Sequence, residues 1–211
     1  MSNTIFITGI GTDVGKTLVS AIITEALQAD YWKPVQSGLN CGTDNKTVAS
    51  LISNPVSKLY DEVYKLTLPA SPHIAAREEG LTIDLDFIHQ QVPATANNWL
   101  LVEGAGGIMV PLNDHEFVID LIKKLEARVI LVSRNYLGSI NHSLLPAALC
   151  KQRNIDVIGW VFNDQFQDYE EEIVRWTGYP QVASIPFAEK VDRQFVQEQA
   201  AVIRERLLSL L

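Results

Sequence analysis

Cysteine is scarce in this 211-residue chain: Cys41 and Cys150 are the only two, far apart and without a CxxC pair. That excludes a disulfide framework and a zinc site of ordinary spacing, and both thiols are expected to be packed and reduced. Basic charge is also short, with 17 Lys and Arg against 25 Asp and Glu and a formal net charge of -8. A grip on a nucleic-acid backbone needs a basic face, so no nucleic-acid partner is expected and any bound anion must be captured locally. No apolar run approaches the roughly 20 residues of a bilayer span, and the opening MSNTIFITGIG lacks the basic region of a signal peptide. A cytoplasmic location with no membrane partner is the expectation. Internal repeats, low-complexity tracts and a Pro/Gly/Ser-rich linker are missing as well, which argues for one domain over residues 1–211.

What is present is 47% hydrophobic and 20% charged, an ordinary globular balance. Four short runs rich in β-branched residues, Ile5 to Thr8, Trp99 to Val102, Val129 to Val132 and Val157 to Phe162, read as parallel strands buried on both faces. Tyr31 to Val35, which Pro34 compromises, and Val182 to Ile185 are weaker candidates. Helical patterns fall at Lys16 to Gln28, Asp44 to Ser53, Glu116 to Lys124, Ser139 to Arg153, Asp168 to Trp176 and Arg193 to Leu210. Leu59 to Pro93 is the least regular stretch. In a doubly wound sheet the ligand sits beyond the carboxyl ends of the strands, so the segments that matter follow Thr8, Val35, Val102, Val132, Phe162 and Ile185.

The first of these, Gly9-Ile10-Gly11-Thr12-Asp13-Val14-Gly15-Lys16-Thr17, leads directly into a helical pattern. Glycines let backbone N–H groups curl round phosphate oxygens, the helix N-terminus adds its positive end, and Lys16 reaches the terminal phosphates. Thr17 is placed to offer its hydroxyl to Mg²⁺. Five residues separate Gly9 from Gly15 where the usual pattern has four, but the strand, loop and helix context is intact. The fold expected is α/β and single-domain: a P-loop NTPase-like, doubly wound, mostly parallel sheet flanked by helices.

Lys33 stands beside Pro34 at a strand end. Two roles stay open for it, a solvated surface lysine or a cation that neutralises a transferring phosphoryl group. Asp44 likewise reads either as a helix N-cap or as a metal ligand. Glu103 follows four apolar strand residues and precedes Gly104-Ala105-Gly106-Gly107, expected to form a loop. Folding stability explains a carboxylate there poorly. With Thr17 and Asp44 it would complete a hard-oxygen set for Mg²⁺, which keeps several waters and needs few protein ligands.

Taken in order, GIGTDVGKT, KPVQSG, Asp44, SPHI at Ser71 to Ile74, VEGAGG at Val102 to Gly107, GSINH at Gly138 to His142, Asn163-Asp164 and Ile185-Pro186-Phe187 resemble the dethiobiotin synthetase family over nearly the whole chain. The five-residue spacing is that family's own form. The resemblance implies a homodimer with its substrate site at the subunit interface, acting on ATP, CO2 and 7,8-diaminopelargonate with Mg²⁺. One amine takes up CO2 as a carbamate, the carbamate oxygen attacks the γ-phosphate, and the second amine closes the ureido ring and expels phosphate.

By the same resemblance Asp13, Val14, Gly15, Lys16, Thr17 and Leu18 hold the phosphates, Thr17, Asp44 and Glu103 bind the metal, and Lys16 and Lys33 are catalytic. Glu103, Gly104, Ala105 and Gly106 lie between substrate and nucleotide. Asn163, Asp164, Pro186, Phe187 and Ala188 flank the adenine, with Glu189 or Asp192 as an acidic ribose contact. Thr12 and Ser37 meet the amine or carbamate end. Gly138, Ser139, Ile140 and Asn141, from the other subunit, receive the remote carboxylate at a helix N-terminus.

The alternative is a P-loop switch ATPase of the partitioning or cell-division type, which shares the fold but carries a signature lysine where this chain has Gly11. Ser71 and His73, two residues apart, are expected to point differently and carry no catalysis; by the resemblance their segment shapes the substrate pocket. The final helix, with Val196, Ala200, Ile203, Leu207 and Leu210 at helical spacing, is expected to face the core rather than a membrane surface.

Overall fold

A computed structural model describes residues 3–39, 42–95, 97, 99–164, 167 and 169–211. The first half runs β1 (Thr4–Gly9), α1 (Lys16–Leu27), β2 (Asp30–Trp32), β3 (Val35–Ser37), α2 (Asp44–Leu51), β4 (Leu59–Tyr60), β5 (Tyr64–Leu66), α3 (Pro72–Glu78) and α4 (Leu85–Gln90). The second runs β6 (Leu100–Gly107), α5 (Val118–Lys124), β7 (Arg128–Arg134), α6 (Ser139–Gln152), β8 (Val157–Asn163), α7 (Glu170–Thr177), β9 (Gln181–Ile185) and α8 (Arg193–Leu210).

Seven strands form one sheet in the order β4-β2-β6-β1-β7-β8-β9, parallel throughout, and β3 pairs with β5, also parallel, as a separate ribbon. The chain thus builds outward on one side of β1 and, after β6, crosses to the other. Such a reversal opens a crevice at the carboxyl ends of the central strands.

The strand sequences explain the layering. Alternate residues of β1 face opposite ways, so Phe6 joins Val102, Leu131, Ile119 and Ile122 on one side, while Ile5 and Ile7 join Leu101, Ile22, Ile130 and Ile203 on the other. Helix α1 and the final helix α8 cover the second face, and Val196, Ala200, Ile203 and Leu207 of α8 are buried there as expected. Each large aliphatic side chain so buried contributes about 1.5–3 kcal/mol. Cys150 is buried and free, with burial pushing its thiol up to about 12. Cys41 lies outside the described residues.

Several expectations need correction. The run Tyr31 to Val35 is not one strand: β2 stops at Trp32 and β3 begins at Val35 in the other sheet. Pro34 has no N–H to give a ladder, and its carbonyl instead accepts from Val63 and Tyr64, turning the chain out of the main sheet. Gly104 to Gly107 is not a loop but the end of β6. Its register with β1 slips after Ile7 and Glu103, so that Gly9 next meets Gly107. A Cβ at Gly104 would stand 2.6 Å from Phe6, so only glycine lets the strand continue there. The irregular stretch from Leu59 to Pro93 holds β4, β5, α3 and α4, elements too short for periodicity to betray. Helix α7 starts at Glu170, and Asp168, its expected first residue, lies outside the described residues.

Candidate active site

Helix α1 begins where the glycine loop ends. Its N-cap is Gly15 at φ 89°, with no side-chain cap and no acidic residue in the first turn, so the opening N–H groups face outward without a protein acceptor from a capping side chain. A Cβ at Gly15 would fall 1.6 Å from Asn163 Nδ2, which closes this position to other residues. Lys16 is buried and donates from Nζ to the carbonyl of Gly11 at 2.8 Å, bracing the loop in its open curve. Burial, only partly offset by Glu103, pulls its pKa down to about 8.

Beside the loop, three chain segments converge on one point. Thr17 Oγ1 lies 2.6 Å from Asp44 Oδ1 and 3.0 Å from Glu103 Oε1. Lys33 Nζ is paired to Asp44 Oδ2 and stands 3.1 Å from Glu103 Oε1. Lys33 is 6% exposed, so it is no solvated surface lysine. Burial works against its charge, but Glu103 and Asp44 outweigh burial and hold its pKa above the ordinary value. For Asp44, burial is in turn outweighed by Lys33 and by the Thr17 hydrogen bond, which keep it below the usual carboxylate range.

The helix-cap role of Asp44 is also overturned. The cap of α2 is Thr43, whose side chain accepts from Lys46 N–H, and Asp44 is left free to turn its carboxylate to Lys33. One hydroxyl and two carboxylates within hydrogen-bond reach form a donor set that suits Mg²⁺, a hard ion content with few protein ligands. Among the described residues no group of three or more His, Cys, Asp or Glu offers a denser alternative.

These groups border a cavity of about 790 Å³. Thr12, Asp13, Gly15, Lys16 and Thr17 form one wall, Lys33, Ser37 and Asp44 another, and Glu103, Ala105 and Gly106 a third. Ser37 Oγ is buried without a hydrogen-bond partner among the described residues. Val14 and Leu18 do not line the cavity: both pack into the apolar layer under α1. Gly104 is buried against Phe6.

The remaining expected residues stand apart from the cavity. Asn163 is buried at the end of β8 and donates to the carbonyl of Val14 at 3.1 Å, so it underpins the phosphate loop. Asp164, at φ 61°, pairs with Arg134 Nε at 2.6 Å. Pro186, Phe187 and Ala188 follow β9, with Phe187 71% exposed. Asp192 is committed to capping α8, accepting from Phe195 N–H at 3.1 Å. Gly138 is the N-cap of α6 at φ 102°, with Ser139, Ile140 and Asn141 opening the helix, and none of the four lines the cavity.

Two neighbours escaped the sequence reading. Tyr31 is fully buried and donates to Glu103 Oε2 at 2.9 Å; burial, and then the charge of Glu103, raise its pKa well above the ordinary value. The signal for it was its place two residues before Lys33 at a strand end, a spacing that turns both side chains to one face. Gln36 accepts from the Asp44 N–H at 3.1 Å and so locates the start of α2. Ser71, expected from the resemblance to shape the substrate pocket, lines the cavity; against the expectation that it points away from His73, its Oγ lies 3.1 Å from His73 Nδ1, since Ser71 stands before α3 rather than within it.

A parallel sheet with a lysine-bearing glycine loop between its central strand and the next helix, flanked by a partly buried hydroxyl and carboxylate cluster, defines the P-loop nucleotide-binding class. The fold agrees with solved members. The septum site-determining protein MinD from Pyrococcus horikoshii OT3, complexed with Mg-ADP, aligns with 100% of this chain and 94% of its own at a TM-score of 0.62 and 15% identity. A ParA family ATPase from Chlorobium tepidum covers 99% of this chain and 93% of its own at 0.57 and 14%. Such identities speak for the fold alone.

A family model described as the AAA domain matches residues 3–194. The ATP-dependent dethiobiotin synthetase BioD of Cytophaga hutchinsonii is 51% identical over 92% of this chain and 94% of its own. The protein of the same name from Christiangramia forsetii is 44% identical over 100% of both. The chain belongs to the ATP-dependent dethiobiotin synthetase family, and a partitioning-type switch ATPase is not favoured.

Proposed function

We propose that this chain carries out the ATP-dependent carboxylation and ring closure of 7,8-diaminopelargonate with CO2, giving dethiobiotin, ADP and phosphate in biotin biosynthesis. The observation that carries this reading is Lys33, buried and charged between Asp44 and Glu103 at the mouth of the phosphate loop. Phosphoryl transfer asks a protein mainly for positioning and for charge opposite the charge that develops.

In this reading the N–H groups from Asp13 to Leu18, with Lys16, hold the phosphates. Thr17, Asp44 and Glu103 would hold Mg²⁺, which when bound supplies positive charge to the phosphate oxygens. Lys33 exchanges a carboxylate partner for an oxygen of the transferring phosphoryl group, an attraction greatest in the transition state. A carbamate oxygen attacks the γ-phosphorus while the bond to the β-phosphate oxygen breaks and ADP leaves. The second amine then attacks the carbamoyl carbon, sheds a proton, and displaces phosphate. Thr12 and Ser37 orient the nitrogen end, and the Ser37 hydroxyl, without a partner among the described residues, supports that role.

Asn163, Asp164, Pro186, Phe187 and Ala188 take the adenine side. Gly138, Ser139, Ile140 and Asn141 serve a neighbouring copy, receiving its substrate's remote carboxylate in a homodimer. Support for a covering partner comes from an apolar groove of about 500 Å³ between the phosphate loop and α6, rimmed by Met109 and Leu145 at 45% and 61% exposure. Among the described residues no helix is long and apolar enough to cross a membrane, and a cytoplasmic site of action fits the reading.

The test is phosphate release from Mg·ATP in bicarbonate buffer with and without the diamine, with mass spectrometry of the product. Diamine-dependent release, matched by a product heavier by one carbonyl and lighter by two hydrogens, is the expected result. Release indifferent to the diamine would return the chain to the switch ATPases.

A further inference from the structure

We propose that Tyr31 is a positioning residue for Glu103, holding that carboxylate so that one oxygen alone faces the metal position, and thereby setting how tightly Mg²⁺ is retained with the nucleotide. The inference rests on the reading of Thr17, Asp44 and Glu103 as metal ligands.

The two oxygens of Glu103 are treated differently. Oε1 receives Thr17 at 3.0 Å and Lys33 at 3.1 Å, on the cavity side. Oε2 receives only the Tyr31 hydroxyl, at 2.9 Å, among the contacts of the described residues. Glu103 is 1% exposed and Tyr31 0%, so water does not supply a substitute donor. A carboxylate free to rotate would present either oxygen, or both; tying off Oε2 leaves one orientation.

The donor is itself fixed. Tyr31 sits in register opposite Leu101 of β6, gives its N–H to the Lys58 carbonyl, and packs its ring in the layer that holds Ile5, Ile7 and Leu101. A neutral phenol beside a carboxylate donates its proton. Hydrogen-bond partners of this kind, one step behind a ligand, commonly govern metal affinity.

The test is Tyr31→Phe, which keeps the buried ring and removes only the hydroxyl. Tyr60→Phe is the control, because its hydroxyl also meets a carboxylate, Asp30 Oδ2 at 3.2 Å, away from the cavity. Mg²⁺ is titrated calorimetrically into each protein saturated with ADP, and ADP into each without metal. The expected result is an Mg²⁺ affinity about tenfold weaker in Tyr31→Phe and unchanged in Tyr60→Phe, with metal-free ADP affinity equal in all three. Turnover of Tyr31→Phe should return to the parental level when Mg²⁺ is raised to saturation, which a damaged fold would not allow. Equal Mg²⁺ affinity in Tyr31→Phe and the parent overturns the proposal, as does an equal loss in both variants. Failure of Mg²⁺ to bind the parental ADP complex overturns the metal reading beneath it, and that outcome is visible without any diamine chemistry.

Discussion

At the carboxyl ends of β1, β2 and β6 the charged groups are engaged with one another, Lys33 and Glu103 buried and Asp44 partly so, whereas beyond β9 and just before α6 the surface is open, although Asn163 and Ser139 nearby are buried. Lys33 and Glu103 are 6% and 1% exposed; Phe187 and Leu137 are 71% and 87% exposed. The first region is assembled by the sheet itself, since register places Ile7 opposite Glu103 and Trp32 opposite Val102. The second depends on loops that follow strands near the sheet's other edge. On the proposed reading the difference teaches which part of the chemistry is prepaid: the groups that would meet developing charge are held before substrate arrives, while the exposed Phe187 would gain its partner only on binding.

The sharpest way to break this comparison is Lys33→Ala. If the buried cluster exists for the transition state, kcat should fall by roughly 100- to 1,000-fold while ATP still binds. Single-turnover kinetics and nucleotide calorimetry check this together, and near-parental turnover would take Lys33 off the catalytic list. Next in size is Gly15→Ala. Its added Cβ meets Asn163 Nδ2 at 1.6 Å at a positive φ, so the loop and β8 must both shift, at a cost of about 1–3 kcal/mol in stability. A melting curve alongside ATP titration checks it, with weaker binding expected as well. Asp44→Asn should follow, raising the Mg²⁺ concentration for half-maximal activity by about tenfold, because a neutral amide is a poorer ligand than a carboxylate and no longer balances Lys33. An unchanged metal dependence would confine Asp44 to its contact with Lys33.

The engaged region was also the more legible one. Buried parallel strands announce themselves as apolar runs, and a glycine loop between strand and helix announces a phosphate site, so β1, β7, β8 and Lys16, Thr17 and Glu103 were readable in place. The pairing of Lys33 with Asp44 and Glu103 was not, because it arises from the turn at Pro34 and from Thr43 taking the cap of α2. Tyr31 was hidden for a different reason: in a short apolar run, an aromatic reads as core until the residue it donates to is known. The glycines after Glu103 misled in the other direction, since composition alone says loop where the strand continues and Phe6 leaves no room for a side chain at Gly104.

Phe187→Ala has the smallest expected effect and separates the two regions most cleanly. Asn163 belongs to both, since its amide is bonded to the Val14 carbonyl beneath the phosphate loop, and changing it disturbs the loop together with any reading of the base. Phe187 has no such double duty: it follows β9, is 71% exposed, and does not line the cavity. If its ring stacks on adenine, removing it should weaken ATP binding by about 0.5–1.5 kcal/mol, a few-fold to about tenfold, through lost aromatic contact alone. The effect should appear in KM for ATP with kcat unchanged, because ring stacking is the same in ground and transition states. A fall in kcat instead would mean that the open region feeds back on Lys33, and the division between a prepared half and a responsive half would have to be given up.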